Sequence, residues 1–518
     1  MKLPFSLYSL ILVSANALTQ NVDLLGYLQY PARLSDIWGY EDTLGNEYAL
    51  VGVLNGTSIV DISTNPSQPT ELFFVPGPVS IWRDIKTWNQ RAYVTNETGE
   101  GLLIIDLSDL PNSISTTTYT TDPLSVDTFR RAHNIFIDEN GFAYLLGSNA
   151  GTYIVDLKPD PDAPRYAGKY ELHYVHDAFV KGDTMWTAEI YDGQLAAVDV
   201  SNKANPVVIG TVSTPFHATH NVWLSDDGKY AFTTDERSGA PVTSFDVNDV
   251  TDMFELDRFF SHPGSGVIPH NTFWLNGFLI TANYKDGVVI TDAHRPQNLI
   301  KTGGYDTSPF PSSDGFNGCW GVYPFFTSGK IIAADIEEGL FVLQPTYRRA
   351  SYLEGQVTDA ITSVPVSNVT VELINMEITD LTDIIGTYRT GILDSGLFDV
   401  RFSRPGCSTV IAQNVLLEPG QVTTLDVQMN CWNLGIQSLH SQDQIWFDNS
   451  TSRISWRLGG AAIPGELAVM AVDGRLIRKK SISSSEGSIE LRPDLAGGIY
   501  MAVLKSRSEV IPLKFMVN

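Results

Sequence analysis

One short phrase recurs seven times between Gly56 and Gln344: a glycine, an apolar run and a polar final residue. The final residues are Asp61, Asp106, Asp156, Asp199, Asp246, Asp292 and Gln344. They lie 45, 50, 43, 47, 46 and 52 residues apart. A repeat of this length, carried by short β-rich runs, is typical of propeller blades. The spacing therefore predicts an all-β fold with a seven-bladed β-propeller over residues 21–347.

Each repeat has the pattern of four strands. The first strand begins with a polar pair such as His133-Asn134, and hairpin residues such as Asn276-Gly277 can take positive φ. The third strand is the phrase itself, whose final aspartate we expect to cap the next turn. We expect residues 22–28 to supply an outer strand that closes the last blade and removes an exposed edge.

The first residues have the features of a secretory signal. Lys2 precedes a short apolar stretch, and Ala15 and Ala17 provide small residues before a cleavage site. We therefore expect residues 1–17 to be removed and the protein to be exported. The apolar stretch is too short to span a bilayer, and the sequence predicts no transmembrane segment. The net charge of −25 disfavours nucleic acids and anionic membranes and favours cations or basic partners.

The repeat rhythm ends after Thr346, and alternating short strands predict two small β-sandwich domains at 351–432 and 437–518. Cys407 and Cys431 lie in the first of these domains and could pair in an oxidising compartment. A loop of that size stabilises by roughly 3 kcal/mol. Cys319 has no evident partner, and we expect it to be buried.

The Ile-Val-Asp phrase, with a glycine five residues before its aspartate and an Asp-x-Ser-x-x-Pro turn after it, resembles the LVIVD repeat. Such repeats behind a signal segment are similar to the choice-of-anchor B family, whose members share a propeller-like body and differ in the tail that anchors them to a surface. The resemblance covers roughly 60% of the chain. It implies a surface-attached protein and offers no enzyme activity to carry over.

Two further resemblances concern the smaller domains. Leu353-Glu-Gly-Gln-Val-Thr-Asp and Gly396-Leu-Phe-Asp-Val make residues 351–432 similar to the carboxypeptidase-regulatory-like domain. Residues 437–518 resemble the type A sorting domain of type IX secretion, through Asp473-Gly-Arg, Leu495-Ala-Gly-Gly-Ile-Tyr and Lys514-Phe-Met-Val. That resemblance implies recognition by the secretion machinery, passage across an outer membrane, and cleavage of the tail as the body is attached to the cell surface.

The most informative break in the repeats is at the start of the first strands, which line the channel of a propeller. These opening positions are Ser35, Arg83, His133, His176, His220, His270 and Trp320. Second strands return to the same face, where Asn96, Glu189, Asp235, Asn283 and Asp335 stand, with Glu236 next to Asp235. Imidazoles and carboxylates converging on one mouth are ligands for a divalent transition metal such as Zn, Mn or Fe.

A structural alternative stays open for these histidines. The residue after the opening position is Asp or Asn in six of seven repeats, which indicates a cap in every blade that a neighbouring imidazole could simply join. Four adjacent histidines and their absence from the other three repeats favour a site. His173, His217, His262 and His294 are off this register, and we expect them at the surface.

Three functions remain at this point. The first is a secreted, surface-attached binding or scaffold module whose mouth takes an extracellular carbohydrate, peptide or protein, with a metal on His133, His176, His220 and His270. The second is a metal-dependent hydrolase in which Glu189 or Asp235 is the general base. The third is a structural surface-layer protein with buried histidines. The sequence contains no GxSxG elbow, P-loop, HExxH motif or dinucleotide fingerprint.

Overall fold

The structure, a computed structural model, describes residues 20–120, 129–148, 150–376, 378–431, 444–448, 451–458, 465–471, 475–491, 495, 498–505 and 510–517. Every regular element in these ranges is a β-strand, which confirms the all-β prediction for them. The predicted signal segment 1–17 lies outside them, as do Asp473, Gly474, Ala496 and Gly497 of the C-terminal resemblance. In the described ranges, no helix has the length and apolar character needed to cross a membrane.

The strands of the repeat region are β1 (Val22–Leu28), β2 (Leu34–Glu41), β3 (Glu47–Val53), β4 (Gly56–Asp61), β5 (Thr70–Pro76), β6 (Ile85–Trp88), β7 (Arg91–Val94), β8 (Leu102–Asp106), β9 (Ser115–Tyr119), β10 (Asn134–Ile137), β11 (Phe142–Leu146), β12 (Thr152–Asp156), β13 (Arg165–Tyr170), β14 (Asp177–Lys181), β15 (Thr184–Glu189), β16 (Gln194–Asp199), β17 (Val207–Ser213), β18 (Thr219–Leu224), β19 (Tyr230–Asp235), β20 (Val242–Asp246), β21 (Phe254–Phe259), β22 (Thr272–Leu275), β23 (Phe278–Ala282), β24 (Val288–Asp292), β25 (Ile300–Tyr305), β26 (Cys319–Tyr323), β27 (Ile331–Asp335) and β28 (Gly339–Pro345).

These strands form seven four-stranded antiparallel sheets among the described residues. Sheets 1 to 6 each take four consecutive strands, from β2–β5 in sheet 1 to β22–β25 in sheet 6. Sheet 7 consists of β26, β27 and β28, with β1 hydrogen-bonded to β28 as its fourth strand. The order of strands within each sheet follows the chain in sheets 1 to 6, so the first strand is one edge and the fourth is the opposite edge.

An apolar cluster fills each interface between neighbouring sheets. Leu50 of sheet 1 packs in one cluster with Ala92 of sheet 2, and equivalent clusters join sheets 2 to 7 in order. A further cluster joins Val51 of sheet 1 to Val342 of sheet 7. Burial of one branched side chain is worth roughly 1.5–3 kcal/mol. Both faces of each sheet are therefore covered by its neighbours, which explains the nearly continuous apolar runs of the third strands.

The final aspartates of the phrase act as caps. In every one of the six, Oδ1 accepts the backbone N–H of the residue two positions later, at 2.8–3.1 Å. This bond fixes the turn that leads into the fourth strand. The hairpin between β22 and β23 has positive φ at both Asn276 (50°) and Gly277 (86°), as a type I′ turn requires. Both predictions about turn residues are confirmed.

The first strands of neighbouring sheets lie side by side, and β26 contacts β2. The residues three positions after the opening positions form a second level. Six of them are aromatic and one is a lysine, and we call them the aromatic layer: Trp38, Lys86, Phe136, Phe179, Trp223, Phe273 and Tyr323. Phe136 of sheet 3 meets Trp223 of sheet 5 at 6.0 Å between ring centroids, and Trp38 of sheet 1 meets Phe273 of sheet 6 at 6.2 Å. These pairs join sheets that are not neighbours, so the rings meet in the middle of the assembly and fill it.

Two further groups of strands follow the repeat region, and each group forms two sheets. The strands of the first are β29 (Ser351–Asp359), β30 (Thr370–Leu373), β31 (Ile378–Leu381), β32 (Thr387–Ile392), β33 (Gly396–Ser403), β34 (Val410–Leu417), β35 (Val422–Thr424) and β36 (Val427–Met429). They form two sheets, one centred on β29 and one in the order β31-β30-β33-β34.

A disulfide joins Cys407 to Cys431, and Cys319 of sheet 7 is a buried free thiol. Arg295 of the sixth repeat forms a bidentate ion pair with Glu354 at 2.8 and 2.7 Å.

The strands of the last domain are β37 (Gln444–Asp448), β38 (Arg453–Arg457), β39 (Gly465–Ala471), β40 (Leu476–Ile482), β41 (Glu486–Glu490), β42 (Gly498–Lys505) and β43 (Val510–Val517). They form a three-stranded sheet, β37-β38-β41, and a four-stranded sheet, β40-β39-β42-β43. A shared core that includes Ile454, Leu467 and Leu504 packs between the two sheets.

Candidate functional site

Four imidazoles stand side by side at the opening positions of sheets 3 to 6. The rings of this histidine row (His133, His176, His220 and His270) have centroids 4.3, 4.1 and 4.3 Å apart. Trp82 lies 5.9 Å from the first ring and Trp320 lies 4.6 Å from the last. The four predicted residues are therefore brought together as one continuous row with an indole at each end.

The local backbone helps to turn these side chains toward the mouth. The pairing of β18 with β19 shifts register between Thr219 and Asn221, so His220 stands on a bulge. The pairing of β26 with β27 shifts in the same way around Trp320. A β-bulge leaves one residue unpaired and re-aims its side chain. The opening residue thus leaves the ladder while the residue after it stays in the strand.

Hydrogen bonds fix the proton position on two of the imidazoles. His176 Nδ1 lies 3.1 Å from the carbonyl of His220, and His270 Nδ1 lies 2.6 Å from the carbonyl of Trp320. A carbonyl only accepts, so Nδ1 must carry the hydrogen in both rings. In the neutral imidazole, Nε2 then keeps a free lone pair. This is the arrangement found in metal-binding histidines, whose second nitrogen donates to a carbonyl or carboxylate.

Glu236 is the carboxylate that reaches the row. Its Oε2 lies 3.8 Å from His220 Nε2, its Oε1 lies 3.8 Å from His270 Nε2, and the Tyr284 hydroxyl donates to Oε1 at 2.7 Å. One ligand atom from each of His220, Glu236 and His270 lies within 4.8 Å of the others. At the other end of the row, His133 Nδ1 pairs with Glu97 Oε1 at 2.7 Å.

The row is electrically neutral where it is most buried. Burial, followed by the neighbouring imidazoles, lowers the pKa of His176 and of His270 well below the usual range. Burial also lowers the pKa of His220, although the Glu236 carboxylate opposes this. Neutral imidazoles are the form that coordinates metals.

The row forms one wall of a small pocket that opens to solvent. The pocket is lined by Asp36, Trp82, Arg83, Asp84, His133, Asn134, His176, His220, His270, Asn271 and Trp320. Arg83 is committed to the protein, because its Nε donates to the Val53 carbonyl at 2.9 Å and its Nη2 donates to the Pro78 carbonyl. The pocket walls therefore offer mainly imidazole nitrogens, carboxylate and amide oxygens, and indole faces.

The two carboxylates proposed for hydrolysis are bonded elsewhere. Glu189 accepts hydrogen bonds from the Tyr170 hydroxyl at 3.1 Å and from Gln194 Nε2 at 2.6 Å. Asp235 accepts bonds from the Thr214 hydroxyl at 2.6 Å and the Ala218 N–H at 2.8 Å. These hydrogen bonds hold the loops around the mouth. Glu236, which follows Asp235 in the sequence, is the carboxylate that reaches His220 and His270.

His173 is the histidine that lies near Glu189. Its Nδ1 is 2.9 Å from Asp192 Oδ2 and 3.8 Å from Glu189 Oε2, and the three residues form a second group of ligand-type atoms. The His173 side chain is partly exposed, and His217, His262 and His294 are exposed. Of the other second-strand residues, Asn96 and Asp335 cap the loops that follow them.

Comparisons with known proteins give the following matches. Residues 43–75 and 175–214 match the family model of the LVIVD repeat, and residues 352–430 match that of the carboxypeptidase regulatory-like domain. No curated protein matches the chain. Among solved structures, a candidate 6-phosphogluconolactonase from Bacteroides uniformis is similar, with 13% identity and a TM-score of 0.42 over 51% of this chain and 83% of that one. The Cps50 (Swd1) β-propeller domain of Myceliophteria thermophila has 9% identity and a TM-score of 0.44, over 63% of this chain and 100% of that one.

Proposed function

We propose that sheets 1 to 7 are the blades of a closed seven-bladed β-propeller over residues 21–347, and that its mouth is a metal-dependent binding site. The apolar clusters between successive sheets support the closed ring, since sheet 7 packs on sheet 1 as the others pack on their neighbours. The LVIVD matches support the propeller, whose open mouth is a common binding surface.

The observation that carries the metal is the group formed by His220, Glu236 and His270. Two imidazole nitrogens and one carboxylate oxygen are a donor set for Zn, Mn or Fe, and zinc sites of this kind keep one position for another ligand. His176 stands next to His220 and would face that position, with His133 beyond it. The bound metal would therefore present its open position to the pocket, where an extracellular carbohydrate, peptide or protein group could coordinate.

The binding module is favoured over the hydrolase. The hydrolase as proposed requires Glu189 or Asp235 to be free beside the metal as the general base. Glu189 and Asp235 are both held by hydrogen bonds around the loops, and Glu236 would be a ligand itself. The purely structural alternative does not account for the Nε2 lone pairs of His176 and His270, whose Nδ1 atoms are bonded to backbone carbonyls.

We propose further that the protein is exported and held at the cell surface, as the choice-of-anchor B resemblance implies. The proposal takes residues 1–17 as a signal peptide, 351–432 as the regulatory-like sandwich and 437–518 as a type IX sorting domain that is removed on attachment. The Cys407–Cys431 disulfide supports an oxidising compartment, because such bonds are rare in reducing ones.

Metal analysis of the chain without residues 1–17 tests the site. The wild type is expected to bind one Zn²⁺ per chain in calorimetry, and His220→Ala with His270→Ala is expected to weaken binding at least 100-fold because two of three ligands are lost. The matched control removes two exposed histidines, as His217→Asn with His262→Ala. Asparagine is chosen because position 217 has a φ of 51°.

Absence of bound metal from the wild type, or equal loss in the control, would contradict the site. A panel of esters, peptides and glycosides measures hydrolysis in the same samples. Turnover that disappears with the metal would identify the hydrolase instead. Metal binding without turnover supports the binding module.

A further inference from the structure

Exposed large apolar side chains are concentrated on the face of the repeat region that carries the histidine row. Seven lie on the loops of this face, and we call them the apolar rim: Val79, Ile81, Leu172, Tyr191, Phe260, Phe310 and Phe316. On the loops of the opposite face, Leu44 is the one such side chain among the described residues. Single apolar residues are normal on a protein surface, whereas their concentration on one face indicates an interaction site.

Phe316 joins the rim to the His270 end of the histidine row. Its ring centroid lies 5.5 Å from that of Tyr284, which in turn lies 5.1 Å from that of His270. The loop that presents Phe316 is held in place, because the N–H of Gly318 donates to Glu337 Oε2 at 3.0 Å. Phe316 is nevertheless 57% exposed, so a fixed loop holds an apolar ring in water.

Tyr191 has the corresponding place at the His133 end of the row. Its ring centroid lies 4.9 Å from that of Tyr174. Tyr174 and His133 border the same glycine, since a Cβ at Gly147 would lie 3.0 Å from the Tyr174 hydroxyl and 2.4 Å from His133 Cβ. Tyr191 itself is 79% exposed. A track of rings therefore crosses the mouth from Tyr191 to Phe316, with the imidazoles between them.

The loops of the same face carry an excess of negative charge. Between each fourth strand and the next opening position, and between the second and third strands, the described residues include ten Asp or Glu and six Arg or Lys. The side chains of Glu171 and Asp192 are 64% and 43% exposed, and Asp314 is exposed two residues before Phe316. A cationic group is therefore attracted to the rim, and an anionic group is repelled.

The apolar rim and the negative charge together limit what the occupant can be. Sugar hydroxyls would lose water against the aliphatic side chains of Val79, Ile81 and Leu172 without gaining hydrogen bonds from them. An anionic membrane would be repelled, and so would a second copy of this chain, whose net charge is −25. A polypeptide segment that combines apolar side chains with Lys or Arg suits both properties of the face.

We propose that the apolar rim docks a basic, apolar segment of another protein, which lies across the histidine row. Its apolar side chains pack against Tyr191 and Phe316, and its Lys or Arg side chains lie among the carboxylates of the mouth loops. This proposal names the partner class of the binding module and rests on the closed ring of blades proposed above. The rim contacts need no metal, so docking and metal binding can be tested separately.

Selection from a random library of displayed peptides on the immobilised chain without residues 1–17 tests the proposal. The enriched peptides are expected to combine apolar residues with Lys or Arg. A labelled synthetic copy of the most enriched peptide is expected to bind in fluorescence anisotropy, and replacement of its basic residues by Glu is expected to weaken binding at least about tenfold. Added NaCl is also expected to weaken binding, because salt screens exposed charges.

A double variant locates the docking surface. Tyr191→Ser with Phe316→Ser removes both exposed rings and is expected to weaken peptide binding at least about tenfold. The matched control is Leu44→Ser, which removes an apolar side chain that is 86% exposed on the opposite face and is expected to change the affinity less than about twofold. Both proteins are expected to keep the unfolding temperature of the wild type, because the substituted side chains are exposed.

Three outcomes would overturn the proposal. Peptides that bind the double variant as tightly as the wild type would show attraction by charge without the rim. A selection that yields no peptide able to bind the wild type in solution would remove the polypeptide partner. Oligosaccharides that bind the wild type and not the double variant, in place of peptides, would identify a glycan surface instead. Zn²⁺ binding, measured in the same samples, separates this proposal from the metal site: peptide binding without Zn²⁺ supports the rim and rejects the metal, and Zn²⁺ binding without any peptide rejects the rim alone.

Discussion

The third and first strands of the sheets follow opposite rules. At the end of the third strand, six aspartates make the same backbone bond in six sheets. At the start of the first strand, the seven sheets carry serine, arginine, four histidines and tryptophan. The repeated residue solves a problem that every sheet shares, namely how to turn into the fourth strand. The variable position differs because it faces a common space that each sheet meets from a different side.

The carboxylates of the two regions show the same contrast. Bonds from the N–H and hydroxyl of Ser201 lower the pKa of Asp199, an exposed cap at the end of a third strand. In the first strands, burial raises the pKa of Asp177 to about 6 and that of Asp36 well above its usual range. The caps are stabilised in their charged form by donors in the same turn. The buried carboxylates of the first strands depend on a side chain from another sheet, as Asp177 does on Asn221.

The largest expected effect on stability comes from Lys86, the ammonium beside the buried carboxylates of Asp84 and Asp36 on the first strands. Although burial lowers the pKa of Lys86, the carboxylates of Asp84 and Asp36 raise it above its usual value, and the ammonium also lies 4.3 Å from the Trp38 ring centroid. Lys86→Met leaves buried carboxylates without this charge and is expected to lower the free energy of unfolding by about 3–5 kcal/mol. Urea unfolding followed by tryptophan fluorescence measures it.

Lys181→Met is the control for this change, because Lys181 is an exposed lysine on a first strand whose Nζ donates to the Asp226 carbonyl. It is expected to change the free energy of unfolding by no more than about 0.5 kcal/mol. A Lys86→Met protein as stable as this control would show that Lys86 and the carboxylates of Asp84 and Asp36 do not stabilise one another.

Much of the fold can be predicted from the sequence, because the repeat spacing, the hairpin residues and the aspartate caps are local signals. Asn276-Gly277 forms its turn as expected, and the phrase is a buried third strand in each sheet. Alignment of the opening positions also selects the four histidines, since equivalent positions of equivalent strands must lie at one level. The aromatic layer could have been found in the same way, three residues later.

The carboxylate that reaches the histidine row could not be assigned by the same means. Asp235 is the last residue of β19 and pairs with Thr219, and its side chain accepts the Ala218 N–H within its own sheet. Glu236 follows beyond the end of the strand and reaches the row instead. Which of two successive acids faces the mouth depends on a single peptide orientation after the strand and on the bulge at His220. Neither has a signature in the sequence.

A smaller effect is expected from the repeated region. Asp156→Ala removes the acceptor for the N–H of Lys158, a bond of 3.0 Å. The loss of one capping bond at a partly exposed turn is expected to cost about 1 kcal/mol in the free energy of unfolding, with Zn²⁺ affinity unchanged. Asp156→Asn keeps an acceptor and is the control, for which a smaller loss is expected. A change in Zn²⁺ affinity in either variant would contradict the separation of the two regions.

The last prediction concerns two carboxylates whose contributions to stability depend on pH with opposite signs. Burial raises the pKa of Asp257 in β21 to about 7, although Oδ2 accepts the N–H of Leu299 at 2.6 Å; Asp380 raises this pKa further, and Arg389 lowers it. The folded state therefore holds a proton that the unfolded chain has lost, and the stability that Asp257 contributes declines as the pH rises from about 4 to 7. Asp199, with its lowered pKa, contributes stability above about pH 4 that is lost on further acidification.

Unfolding temperatures of Asp257→Asn and Asp199→Asn, measured between pH 3 and 8 against the wild type, separate the two. Asp257→Asn is expected to gain on the wild type as the pH rises from 4 to 7, because the amide needs no proton in its buried position. Asp199→Asn is expected to lie slightly below the wild type at neutral pH and to converge with it near pH 3. Parallel curves would mean that burial and backbone donors act alike on the two residues. Opposite slopes would show that the local surroundings of each aspartate, and not its membership of the repeat, set how its charge contributes to the fold.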